Sequence, residues 1–198
     1  VNAMDTILVA NAGSSSVKFQ VFGIGGQGKL QRQIKGQVDG VGTRPRMRVV
    51  SPAGEVLVER TYETATVSDV AAALATAGAW LRDEVKINPV AIGHRVVHGG
   101  PGYDKPVRVD QDVLARLERY VSLAPLHQPY NLAPIRSILA RFSDIPQVAC
   151  FDTAFHRGHG ALADHYAIPE FLYTEGVRRY GFHGLSYEYI ANALPKVA

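Results

Sequence analysis

Thr6–Phe22 reads TILVANAGSSSVKFQVF, and the order of its parts decides the fold class. Thr6–Ala10 is a short apolar run with the character of a buried strand. Asn11–Ser16 is a cluster of turn formers, and Val17–Phe22 then alternates apolar and polar residues with period two, as a half-buried strand does. Strand-like segments continue at Leu30–Val38, Met47–Val50 and Glu55–Arg60. The period then changes. Thr66 with Asp69 three residues later forms a capping signature, followed by Val70, Leu74, Ala77, Leu81 and Val85 at helical spacing. After Asn88-Pro89 comes a strand, Val90–Val97. Asp110 caps a helix with Val113, Leu114, Leu117 and Val121 on one face. A second helix is expected from about Asn131, with Pro134 in its first turn and Leu132, Ile135, Leu139 and Phe142 inward. Gln147–Phe151 closes the series as a buried strand ending at Asp152. Strands first, then strands alternating with helices, give an α/β domain with a mixed sheet and flanking helices. That unit is complete over residues 1–152. Residues 153–198, with one helix expected after Ser186, read as the incomplete start of a second domain.

Composition narrows the classes. The chain has 198 residues, 46% hydrophobic and 20% charged, an ordinary globular balance that needs no disulfide staples. A single cysteine, Cys150, excludes an internal disulfide framework. The formal charge of +3 comes without a basic run, which argues against a nucleic-acid partner. The most apolar helical stretch, Val70–Leu81, is too short for a membrane span, and a cytoplasmic location is the expectation. Val1–Ala3 reads as an appended leader ahead of a natural start at Met4, with no signal peptide.

Several motifs carry candidate chemistry. Gly23-x-Gly25-x-x-Gly28 matches the dinucleotide fingerprint in letters, but strand-like residues follow where a helix is required, so it reads as a hairpin loop. Gly13–Lys18 lacks the second glycine and the following helix of a P-loop. Its backbone N–H groups, hydroxyls and Lys18 can still face an anion. His156-x-x-His159 is loosely zinc-like but has no supporting cysteines, and hydrogen-bonded histidines are the simpler reading. Arg95 lies inside an apolar strand, where a guanidinium needs a partner; it serves either a structural ion pair or an anion clamp. Asp152 stands at the carboxyl end of a strand, where ligands of open α/β sheets bind. It can hold Mg²⁺, position a nucleophile, or cap the next turn. His127 precedes a helix, and His183 sits between glycines in Gly181–Gly184, a turn open to close ligand approach.

These segments together resemble the acetokinase family: VANAGSSSVKF at 9–19, GHRVVHGG at 93–100, LAPLHQPYN at 123–131, FDTAFH at 151–156 and RRYGFHG at 178–184. The resemblance implies a ribonuclease-H-like domain of the actin-like ATPase fold, shared with sugar kinases and Hsp70. It implies phosphoryl transfer from ATP to acetate with Mg²⁺ or Mn²⁺, giving acetyl phosphate and ADP. By the same resemblance, Asn11, Ser14, Ser16 and Lys18 face the phosphates, and Asn11 and Asp152 the metal. Arg95 holds the carboxylate and the transferring phosphoryl, His127 and His183 donate to its oxygens, and Val97, Leu126 and Phe182 enclose the acyl methyl. Gln128, the run Arg157–Gly160 and Tyr187 depart from residues common in the family. Members are about twice this length and homodimeric; a second arginine, a glutamate metal ligand and the adenine site belong to the other half. The chain alone is therefore expected to turn over poorly. Alternatives are propionate kinase, a sugar kinase using Asp152 as base, and a non-catalytic anion- or nucleotide-binding module of the same fold.

Overall fold

The computed structural model describes residues 4–197; Val1–Ala3 and the leader reading lie outside them. One eight-stranded sheet organises the chain. Its strands are β1 (Thr6–Ala12), β2 (Ser16–Ile24), β3 (Leu30–Asp39), β4 (Arg46–Val50), β5 (Val56–Thr61), β6 (Ala91–Val96), β7 (Val107–Arg108) and β8 (Gln147–Phe151). Their spatial order is β5-β4-β3-β2-β1-β6-β8-β7. The first five form an antiparallel meander, while β1, β6 and β8 run parallel at the centre. Parallel neighbours need helical crossovers, and α1 (Val70–Asp83), α2 (Gln111–Glu118) and α3 (Gln128–Arg141) supply them.

Strand alternation sends Leu8, Ala10, Val17, Phe19, Val21, Val38, Met47 and Val49 to one face, under α1. Helix α1 returns Val70, Ala73, Leu74, Ala77, Trp80 and Leu81 to that core. Each large side chain so buried contributes roughly 1.5–3 kcal/mol. A second cluster joins Val96, Ala149 and Phe151 to α2 and α3 through Val113, Leu114, Leu117, Leu132 and Ile135. The opposite face of the central strands stays half-exposed at Ile7, Asn11, Gly93, Arg95, Val148 and Cys150. After β8 come three short helices, α4 (Ala161–Asp164), α5 (Glu170–Thr174) and α6 (Gly184–Ala193).

Five local expectations are corrected. Asp69, not Thr66, caps α1, because its extended backbone lets the carboxylate accept from the Ala72 N–H at 2.8 Å. That helix ends at Asp83, so Val85 is not on its face. Helix α3 starts three residues earlier than the apolar spacing suggested; Pro129 occupies its first turn and Pro134 lies inside it. Helix α6 begins at Gly184, ahead of Ser186. Asp110 caps α2 as expected, accepting from the Val113 N–H at 2.7 Å, although Val121 lies beyond its end. The Gly23–Gly28 segment is the end of β2 and the start of its hairpin connection to β3.

Candidate active site

The carboxyl ends of β1, β6 and β8 meet at one edge of the sheet. Each delivers one polar side chain there: Asn11, Arg95 and Asp152. Arg95 Nε donates to both Asp152 oxygens at 3.1 and 3.2 Å, and Nη2 donates to Oδ2 at 2.5 Å. Nη1 donates to Asn11 Oδ1 at 3.2 Å. Asp152 is 1% exposed, whereas a third of the Arg95 side chain reaches solvent. The arginine is thus an ion-pair partner whose guanidinium is still partly open to solvent. A guanidinium carries five N–H groups, and these bonds leave one on each terminal nitrogen free. That exposed edge suits the planar oxygens of a carboxylate or phosphoryl group.

The walls around this pair are tied by side-chain-to-backbone bonds. Asn131 Oδ1 accepts from the Val97 N–H at 2.9 Å, and its Nδ2 donates to the Ala12 carbonyl at 2.6 Å. Gln128 accepts from the His98 N–H at 3.1 Å and donates to the His98 and Leu117 carbonyls at 2.9 and 3.3 Å. The Gly99 N–H donates to Thr153 Oγ1 at 3.0 Å. Spacing in the sequence marks none of Asn131, Gln128 and Thr153 as site residues. Gln128 was visible only as a departure from the family pattern, and it is fully buried.

The Gly13–Ser15 turn leaves β1 beside Asn11, closed by the Gly13 N–H on the Ser16 carbonyl at 2.8 Å. Ser14 is exposed and Ser16 half-buried. Lys18 pairs across the hairpin with Asn11, so both side chains stand on the same, solvent-facing side. On the far wall the Gly184 N–H donates to the Asp152 carbonyl at 2.8 Å, which sets the preceding His183 beside the site. His183 adopts a left-handed backbone, φ 59°. A β-carbon at 184 would run into the Asp152 carbonyl and Phe155, so glycine is required there. His127 is exposed at the start of α3, one residue before Gln128. Val97 is buried, Phe182 half-exposed against His98, and Leu126 is 75% exposed.

His156 and His159 do not share a ligand. His156 Nε2 donates to the Phe182 carbonyl at 3.0 Å, and His159 pairs with Asp164. Mg²⁺ takes hard oxygens and keeps waters and substrate phosphates in its shell. Asp152 and Asn11 carry such oxygens, each bonded to the same guanidinium. Among the described residues no group of three or more His, Cys, Asp or Glu is gathered to cage a metal. The donor set fits a cation that arrives with phosphate oxygens. No helix among the described residues is long and apolar enough to cross a membrane.

A mixed sheet with parallel strands at its centre and helices over its core face is the actin-like ATPase arrangement. The model of the acetokinase family matches residues 6–198, and the chain belongs to that family. The acetate kinase of Nitrobacter hamburgensis is 68% identical over 195 residues, covering 98% of this chain and 48% of the relative. That of Rhizobium meliloti is 58% identical over 195 residues, covering 98% and 49%. The Porphyromonas gingivalis acetate kinase structure superposes with a TM-score of 0.83 at 32% identity, over 98% of this chain and 49% of that one. A propionate kinase structure from Francisella tularensis gives 0.84 at 32% identity, with the same coverage. The chain spans about half the length of the curated relatives it matches.

Proposed function

We propose that this chain is the phosphate- and carboxylate-binding half of an acetate kinase, which transfers the γ-phosphoryl of ATP reversibly to acetate. One acetate oxygen attacks the γ-phosphorus, the bond to the β–γ bridging oxygen breaks, and ADP leaves with that electron pair. No proton need be removed from the acceptor, so the task is to hold two anions together and stabilise the charge of the group in transit. The observation that carries this reading is the Arg95 fork, pinned by Asp152 and Asn11 with two N–H groups free. Those donors would bind the acetate carboxylate and the transferring phosphoryl. His127 and His183 would donate to its oxygens, and Ser14, Ser16 and Lys18 would face the phosphates. Val97, Leu126 and Phe182 would line the pocket for the methyl. Asp152 and Asn11 would hold Mg²⁺ or Mn²⁺, which supplies charge neutralisation at the phosphate oxygens when bound.

In this reading residues 1–152 form the first domain, and 153–198 open a second one that holds the nucleotide. The buried apolar residues of both core clusters end at Phe151, which supports that division. The whole protein would be a cytoplasmic homodimer, and this chain alone would transfer little. Propionate is the second candidate acceptor, because one of the similar structures is titled a propionate kinase.

Trapping acyl phosphate with hydroxylamine, in the presence of ATP and Mg²⁺, tests the proposal. A chain extended to its relatives' length should form hydroxamate from acetate in preference to propionate, while the 198-residue chain forms little. No hydroxamate from either acid with the extended chain would overturn it.

A further inference from the structure

His98 is 1% exposed, although it lies only three residues beyond Arg95. Gln128 fixes its backbone from both sides, at the N–H and the carbonyl. Its ring is fixed as well, because the Gly100 N–H donates to Nδ1 at 2.8 Å and so leaves the proton on Nε2. Gly100 has φ +61°, and a β-carbon there would strike the Tyr120 ring, so this tight return holds only with glycine. So oriented, the His98 ring meets Tyr180 at 4.5 Å between centroids and 65°, and Phe182 at 5.8 Å and 70°. Both are edge-to-face contacts. Burial lowers the imidazole pKa to about 4, so the ring is neutral and acts here as an aromatic body. It touches none of the reacting groups described above. It follows Val97 in the chain and packs against Phe182 in space.

We infer that His98 is a positioning residue for acceptor selectivity: its ring backs Phe182 and so acts as the spacer that sets the length of acyl tail admitted. The inference rests on the reading of the chain as half of a carboxylate kinase. A spacer at the tail of the acceptor should alter the choice between carboxylates and leave nucleotide binding alone.

The test uses the extended chain. His98→Asn keeps an acceptor where Nδ1 stands, so the Gly100 return is retained while the ring is lost. Its propionate-to-acetate ratio of kcat/KM should rise about tenfold, the scale of one methylene in an apolar pocket, with KM for ATP unchanged. His98→Phe keeps a ring and should hold the parent ratio, at lower thermal stability. Tyr180→Leu removes the ring His98 leans on without touching His98. It should shift the ratio the same way, and it carries the test if the asparagine variant does not fold. An unchanged ratio in the folded variants, or a KM for ATP that rises as far as that for acetate, overturns the inference. If the parent phosphorylates neither acid, the functional reading itself has failed and this inference falls with it.

Discussion

Arg95 grips Asp152 side-on, through Nε and Nη2 together, across the seam between the adjacent parallel strands β6 and β8. The carboxylate is buried and the guanidinium only partly so. Removing the cation therefore leaves a buried carboxylate without its ion-pair partner. Arg95→Ala should lower unfolding stability by about 3–5 kcal/mol in urea titrations. A loss below about 1 kcal/mol would place the pair with solvent-screened surface bridges instead. Arg95→Lys should recover only part of the loss, because an ammonium cannot make the side-on fork.

Asn131 is a second single point of failure. It satisfies a buried donor on β6's end and a buried acceptor on β1's end at once. Asn131→Ala should cost roughly 2–4 kcal/mol, read from the same titration. Asn131→Asp should be worse at neutral pH, since a carboxylate oxygen would face the Ala12 carbonyl. It should recover on acidification, when the protonated group can donate again.

Two histidines set the acid limb of stability. Burial lowers both His94 and His98 from about 6.5 to about 4 in the folded chain. Between those values the unfolded chain takes up protons that the folded chain refuses, so falling pH favours unfolding. Stability should be flat above pH 7 and fall below about 6, by up to about 1.4 kcal/mol per pH unit for each ring. Urea titrations at stepped pH check this, and His94→Gln should flatten its share. A profile that stays level to pH 5 would contradict it.

Gly184 joins the chain after β8 to the site. Gly184→Ala would place a β-carbon against backbone, which cannot swing aside as a side chain can. The variant should lose the Gly184–Asp152 bond and increase amide exchange over residues 181–187, while the sheet amides stay protected. Unchanged exchange at those positions would show that the turn tolerates the methyl.

The meander and the three crossover helices were legible because their periodicities are long and switch cleanly between two and 3.6 residues. β7 has two residues and α4 four, too few to show a period. Pro134 masks the start of α3, since a proline near a helix start is the common case and Pro129 already holds that place. Arg95 and Asp152 stood out as charges in or beside apolar strands. Their pairing did not, because it depends on β6 lying next to β8. Gln128, Asn131 and Thr153 act by bonding backbone far away in sequence, and nothing in local spacing marks such a role.

The bonds that join the walls of this site share one property. His98 and Gln128 are 30 residues apart, Arg95 and Asp152 57, Asn11 and Arg95 84, Ala12 and Asn131 119. No excised peptide can therefore reproduce it. A fragment carrying the Gly/Ser turn alone is a turn, and one carrying the arginine strand alone is a strand. The shortest contiguous piece of polypeptide that contains the Arg95 clamp runs from Asn11 to Asp152.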